Sequence, residues 1–148
     1  MVFWPNINIS DVHIMPLIFT IGHSTLELAK FIQILLHNKI KCLVDVRSYP
    51  SSRAFPQYNK DNLAKSLSIF GITYIHIASL GGRRNFPNIH HPALTSKSFS
   101  SYAEYMIGPE FKKGIKDLKK IARGCRTAIM CSEAVWWRCF LKHRVTDG

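Results

Sequence analysis

Four short apolar runs, separated by segments with helical periodicity, most constrain the fold of this chain. The runs are rich in β-branched residues, which is typical of buried strands. They are Leu17–Ile21, Cys42–Val46, Ile72–Ile77 and Thr127–Cys131. Strands that alternate with helices are usually parallel and joined by right-handed crossovers. The predicted fold class is therefore α/β, a single domain with a mostly parallel sheet of about four strands and helices on both faces.

The segments between these runs carry signals for helix ends. Ser24 with Glu27 matches a capping box, so a first helix is predicted to begin at Ser24 and to stop near Asn38. Asn59 is predicted to cap a second helix that ends at Gly71.

The third connection is the longest. Residues 78–98 form a long predicted loop, and residues 99–106 are predicted to form a short helix. Gly108–Pro109–Glu110 then opens a helix with proline at its first position, and Gly124 stops it.

Length and composition favour one globular domain. The chain has 148 residues, of which 1–15 are predicted to form a loose N-terminal extension and 16–148 the α/β domain. No apolar run is long enough for a transmembrane helix, and the first residues lack the pattern of a secretory signal.

The four cysteines have no compact disulfide spacing, so reduced thiols and a cytoplasmic location are expected.

The charge balance is strongly basic. Twenty Lys and Arg against nine Asp and Glu give a formal net charge of +11. Such an excess favours polyanionic partners, which here means nucleic acid or a phosphorylated small molecule, although a solvated basic surface is the alternative. No membrane partner is expected, and the oligomeric state stays open.

Chemically distinctive side chains follow each predicted strand. They are His23, Asp45, Arg47, Arg83, Cys131 and Glu133. Because the carboxyl ends of parallel strands share one edge of a sheet, these residues are expected to meet in a single site.

Five motifs, in order, carry a family resemblance. They are Thr20–Ser24, Leu43–Ser48, Gln57–Asn59, Leu80–Arg83 and Met130–Glu133. This order resembles the domain-of-unknown-function 488 family from about Leu17 to Cys139. The resemblance implies a small α/β protein and no established activity.

The end of the chain departs from that family pattern. Family members typically read Arg-Cys-His-Arg, whereas this chain reads Arg138-Cys139-Phe140-Leu141-Lys142. The chain is therefore expected to be a truncated or divergent member, and the role of the missing histidine is not assigned to His143.

Four residues are candidates for catalysis. Cys131 at a strand end is a candidate nucleophile, and Glu133 a candidate general acid or base. His23 could orient a substrate or move protons, and Asp45 is expected to point to the same side of the sheet as Arg47. The structural alternatives are a buried core thiol for Cys131 and an ion pair for Asp45.

Six residues are candidates for binding substrate or phosphate. They are Ser24, Arg47, Gly82, Arg83, Arg138 and Trp137. The turn at Ser24 offers backbone N–H groups, the arginines offer guanidinium forks, and Trp137 could stack on a base. No metal site is predicted because no close Cys pair exists, and no cofactor is expected.

Two functions of different classes agree with these residues. The first is an enzyme that acts on a phosphate-bearing substrate, a nucleotide or nucleic acid, at the carboxyl edge of the sheet. The alternative is a non-catalytic nucleic-acid-binding module or an inactive truncated family member.

Overall fold

The computed structural model describes residues 17–81 and 105–132. Its strands are β1 (Ile18–Gly22), β2 (Cys42–Asp45), β3 (Thr73–His76) and β4 (Thr127–Cys131). Its main helices are α1 (Leu28–His37), α2 (Lys60–Ile69) and α3 (Pro109–Gly124). The alternating order predicted from the sequence is confirmed. Short 3-10 turns occupy Pro56–Tyr58 and Ala78–Leu80.

The four strands form one sheet in the order β1-β4-β2-β3, and every pair within it is parallel. The chain steps from β1 across to β2 and on to β3, then returns to insert β4 between β1 and β2. Since parallel crossovers are right-handed, this reversal moves the connecting helix to the other face of the sheet.

Two apolar clusters confirm helices on both faces. The first joins α1 and α2 to the sheet, with Phe31 and Leu63 packed against Leu43 and Met130. The second joins α3 to the sheet, with Phe111 and Leu118 packed against β2 and β4 residues such as Val44. The sheet is therefore the middle layer of three, and alternate residues of each central strand belong to opposite layers.

The predicted chemistry of the helix ends is found at Pro109 of α3 and Gly71 of α2, but not at Asn59. Pro109 occupies the first turn of α3, where its missing N–H costs no hydrogen bond. Gly71 follows the C-cap of α2 with φ of +67°, a conformation that glycine adopts without steric cost. Asn59 is the N-cap of α2, but its Oδ1 accepts from Ser52 N at 2.6 Å instead of capping the helix.

The predicted start of α1 is wrong. The helix begins at Leu28, with Glu27 as its N-cap and no side-chain cap hydrogen bond. Ser24 instead has a positive φ of 39° and donates its backbone N–H to Ser132 O at 3.2 Å. Because Ser132, the residue after β4, supplies that acceptor, the chain turns before the helix begins, and a capping box does not form.

The prediction of reduced thiols is wrong for two cysteines. Cys42 and Cys125 form a disulfide, although 83 positions separate them. Cys42 opens β2 and pairs in register with Thr127 of the adjacent β4, so Cys125, two residues earlier, comes within reach. Their Cα atoms lie 6.3 Å apart. The strand order, which spacing along the chain does not reveal, brings these thiols together. Cys131 is reduced.

The remaining predictions about chain organisation fall on other parts of the chain. The predicted N-terminal extension, most of the predicted 78–98 loop and most of the predicted 99–106 helix lie outside the described residues. Within residues 17–81 and 105–132, no helix is both long enough and apolar enough to cross a membrane.

Candidate functional site

The carboxyl ends of the four strands meet at one edge of the sheet. Gly22 of β1 pairs with Cys131 of β4, and Asp45 of β2 pairs with Met130 of β4 and His76 of β3. His23 therefore follows β1 at the same edge at which Asp45 ends β2, as the parallel topology predicted.

The strand order reverses beside β2, because the chain continues from β2 to β3 on one side and then returns to β4 on the other side. The connection after β2 runs through α2 on one face of the sheet, whereas α3, which follows β3, packs on the other face. Open parallel α/β sheets bind ligands outside the carboxyl ends of strands at such a point. Asp45 ends β2, next to this reversal, and His76 ends the adjacent β3.

A buried ion pair lies at the end of β2. Asp45 is fully buried, and Arg47 binds its carboxylate through Nε to Oδ1 at 2.9 Å and Nη2 to Oδ2 at 2.7 Å. The Arg47 backbone N–H donates to Oδ1 at 3.0 Å, and the Tyr74 hydroxyl donates to Oδ2 at 2.5 Å. Asp45 and Arg47 share one side of the sheet, as predicted, and the buried carboxylate is both neutralised and hydrogen-bonded.

The remaining donors of Arg47 organise the neighbouring loop. Its Nη2 also donates to the Tyr58 carbonyl at 2.7 Å, and its Nη1 lies 3.3 Å from His23 Nε2. A guanidinium has five N–H groups. The contacts with the described residues use four of them and leave one N–H on Nη1. Arg47 is thus chiefly occupied in holding the site together, with little of its fork left for a phosphate.

His23 is held in one orientation and one charge state. It is 5% exposed, and its ring stacks on that of Tyr58 with centroids 4.4 Å apart. Nδ1 lies 3.0 Å from the Ser24 carbonyl, which only accepts, so Nδ1 carries the proton and Nε2 accepts from Arg47. Burial lowers the pKa of His23, and the Arg47 charge lowers it further, while the Ser24 carbonyl and Asp45 oppose the shift. His23 is therefore neutral near pH 7.

Two tyrosines enclose this cluster as hydrogen-bond donors. Tyr58 is fully buried and donates from its hydroxyl to the Leu26 carbonyl at 2.9 Å. Burial raises the pKa of Tyr58 to about 12, against the opposing effect of Arg47. Burial, and then the hydrogen bond and charge of Asp45, raise the pKa of Tyr74. Both phenols thus stay protonated at neutral pH.

His76 belongs to the site but was not among the predicted residues. Its Nε2 lies 2.8 Å from the Arg47 carbonyl, which only accepts, so Nε2 carries the proton. Nδ1 then bears the lone pair, and no described residue hydrogen-bonds to it. The ring is half-buried. The signal in the sequence was its position at the end of the third apolar run, two residues after Tyr74 on the same side of the strand.

Cys131 lies at the same edge but on the opposite face of the sheet. Its side chain packs against the cluster of Val46, Leu80 and Phe111, whereas Asp45 and His23 contact the other layer. Only its backbone approaches His23, through a hydrogen bond from His23 N to Cys131 O at 3.2 Å. The structure therefore brings together His23, Asp45 and Arg47, and separates the Cys131 thiol from them by the sheet.

Gly81 lies very close to the residues that follow β2. A Cβ at Gly81 would lie 2.7 Å from the Val46 carbonyl oxygen and 2.8 Å from Ser48 N, and would also meet Ser48 Oγ. Only glycine lets the chain pass so close to the end of β2. Gly81, the last described residue before position 82, therefore lies at the carboxyl edge of the sheet.

Several predicted site residues lie outside the described residues. They are Gly82, Arg83, Glu133, Trp137 and Arg138. Within the described ranges 17–81 and 105–132, no group of three or more His, Cys, Asp or Glu side chains is placed to hold a metal ion.

The fold and this edge define an α/β protein with an open parallel sheet and a polar cluster at its carboxyl edge. The profile of the family described as "Domain of unknown function DUF488" matches residues 27–145. The chain therefore belongs to this family, as its motifs predicted. The matched range covers the motifs from Leu43 onward, while Thr20–Ser24 precedes it. No curated protein and no solved structure matches the chain significantly.

Proposed function

We propose that this protein is an enzyme that acts on a phosphate-bearing substrate, a nucleotide or nucleic acid, at the carboxyl edge of its sheet. The observation that carries the proposal is the cluster of His23, Asp45, Arg47 and His76 at the carboxyl ends of β1, β2 and β3. Open parallel sheets place their ligands at this position. The net charge of +11 favours an anionic substrate.

In this proposal the Asp45–Arg47 pair positions other groups and does not itself react. The carboxylate neutralises the guanidinium, whose side chain is 9% exposed, so the pair presents little net charge to a ligand. It fixes His23 through Nη1 and His76 through the Arg47 carbonyl. Phosphate binding then falls mainly to Arg83, Gly82, Arg138 and the backbone near Ser24, with Trp137 stacked on a base.

His76 is the described residue best suited to accept a proton. A neutral imidazole with its Nε2 proton held by a carbonyl presents Nδ1 as a base, which is the arrangement that general base catalysis needs. His23 has both ring nitrogens engaged and is the weaker candidate. Cys131, whose thiol lies on the opposite face of the sheet, and Glu133 stay separate candidates from the sequence, as nucleophile and as general acid or base. The cytoplasmic location also stays a prediction.

The test is a search for turnover followed by a matched pair of substitutions. The protein is incubated with nucleoside mono-, di- and triphosphates and with single-stranded DNA and RNA, and products are followed by mass spectrometry. We expect His76→Gln to lower the rate of any turnover by on the order of a hundredfold. His37→Gln, an exposed histidine at the end of α1, should leave that rate unchanged.

Two outcomes would contradict the proposal. A folded protein that turns over none of these substrates would favour a binding module or an inactive family member. Equal rates for His76→Gln and wild type would remove His76 from the chemistry. Cys131→Ser and Glu133→Gln then test the two groups proposed from the sequence alone, and activity that survives both would exclude them.

A further inference from the structure

The exposed face of α3 carries a row of positive charge that the carboxyl edge does not use. Taking the helix at 3.6 residues per turn, five basic residues fall within an arc of about 100° and along about 17 Å of the axis. This basic row consists of Lys112, Lys116, Lys119, Lys120 and Arg123. All are exposed except Lys119, which is half-buried.

The basic row has no acidic partner among the described residues. Of the two acidic residues in α3, Asp117 pairs with Lys113, whose Nζ lies 2.9 Å from its Oδ2, and Glu110 lies on another side of the helix. Lys112, Lys116 and Lys120 follow each other at i,i+4 spacing, where like charges destabilise a helix. The row therefore concentrates repulsion that an anionic partner would relieve.

We propose that the basic row binds the phosphate backbone of a nucleic acid. A duplex presents one negative charge per about 1.7 Å of its axis, so about 17 Å of helix faces enough phosphates to engage every residue of the row. This binding site lies on a helix face away from the buried cluster at β2, and the inference does not rest on the enzymatic proposal. It names the polymer, as opposed to a free nucleotide, as the partner.

An anionic membrane surface fits the same helix less well. A helix that lies in a membrane interface inserts its apolar face between the lipids. The apolar face of α3, including Phe111 and Leu118, is instead packed against the sheet. Only the charged face is open to a partner, which suits a phosphate backbone in water.

The experiment compares two variants of equal charge. Lys112, Lys116 and Lys120 are replaced together by Gln in one, and Lys30, Lys60 and Lys65 in the other; all six side chains are exposed. The second set lies on α1 and α2, across the sheet from α3. Affinity for a fluorescein-labelled DNA duplex, and for a single strand of the same length, is measured by anisotropy over a salt series.

For wild type we expect log K to fall linearly with log salt. The α3 variant should bind on the order of tenfold or more weakly, with a salt slope smaller by about three. The α1/α2 variant should keep a slope close to that of wild type. Equal losses in both variants would show a general charge effect and overturn the proposal, as would absence of DNA binding by wild type.

Two controls separate this proposal from its alternatives. Binding to phosphatidylserine vesicles without binding to DNA would assign the row to a membrane and overturn the proposal. His76→Gln should bind DNA as wild type does, because it lies at the carboxyl edge and not on α3. Loss of DNA binding in His76→Gln would move the nucleic-acid site to that edge, whereas loss of turnover alone bears only on the enzymatic proposal.

Discussion

Arg47 Nη1 lies 3.3 Å from His23 Nε2, while the same guanidinium donates two hydrogen bonds to the buried carboxylate of Asp45. This contact joins the ends of β1 and β2, although β4 lies between the two strands. The contact also determines the tautomer of His23, because Nε2 must accept the hydrogen bond from Arg47. The edge of the sheet is thus held by a polar network whose members depend on one another.

Removal of Arg47 should be strongly destabilising. Arg47→Ala would leave the fully buried Asp45 carboxylate without its cation, a loss that typically costs about 3–5 kcal/mol. Arg53→Ala, at an exposed position in the same loop, should change the free energy of unfolding by less than about 0.5 kcal/mol. Urea denaturation measures both. Similar small losses in the two variants would show that Asp45 finds another partner.

His23 should make stability decline in mild acid. Its folded-state pKa is lowered below 6.5, so the unfolded chain binds a proton more readily than the folded chain does. The contribution of His23 to the free energy of unfolding is complete above pH 6.5, and it is lost as pH falls from 6.5 towards the lowered pKa. The free energy of unfolding of wild type should therefore drop over this range, and that of His23→Gln should drop less. Parallel curves would contradict the assignment of this pH dependence to His23.

Reduction of the Cys42–Cys125 disulfide should lower stability. The link closes a loop across 83 positions, and in the chain-entropy account a disulfide that closes a loop of this length stabilises the protein by about 4.5 kcal/mol. The melting temperature of wild type should fall on addition of dithiothreitol. The double variant Cys42→Ser with Cys125→Ser should melt at the lower temperature with or without reductant. A reductant effect of equal size in the double variant would place its cause elsewhere.

Gly81→Ala should be more damaging than Gly124→Ala. The added methyl at Gly81 would lie 2.7 Å from the Val46 carbonyl oxygen, and backbone on both sides leaves it little room to move. Overpacking of this kind costs about 1–3 kcal/mol. At Gly124 a Cβ meets nothing within 4 Å, so the substitution should be close to neutral. Equal free energies of unfolding for the two variants would show that the backbone around Gly81 shifts to accommodate the methyl group.

The local elements were predictable because their signals are local. The apolar runs correctly predicted four strands, Pro109 marked the start of α3, and Gly71 followed the end of α2. The alternation of strands and helices implied a parallel sheet, and parallel strands share a carboxyl edge. The meeting of His23, Asp45 and Arg47 followed from that topology without any knowledge of the contacts.

By itself, therefore, the sequence determined which segments become strands and helices, and which strand ends carry chemically active side chains. The tertiary structure alone decided the strand order, and with it the Cys42–Cys125 disulfide, the acceptor that turns Ser24 away from a helix cap, and the placement of Cys131 on the far face. It also gave His76 its oriented lone pair. The physical reason is range: periodicity and capping act over a few residues, whereas strand pairing joins residues distant in the chain.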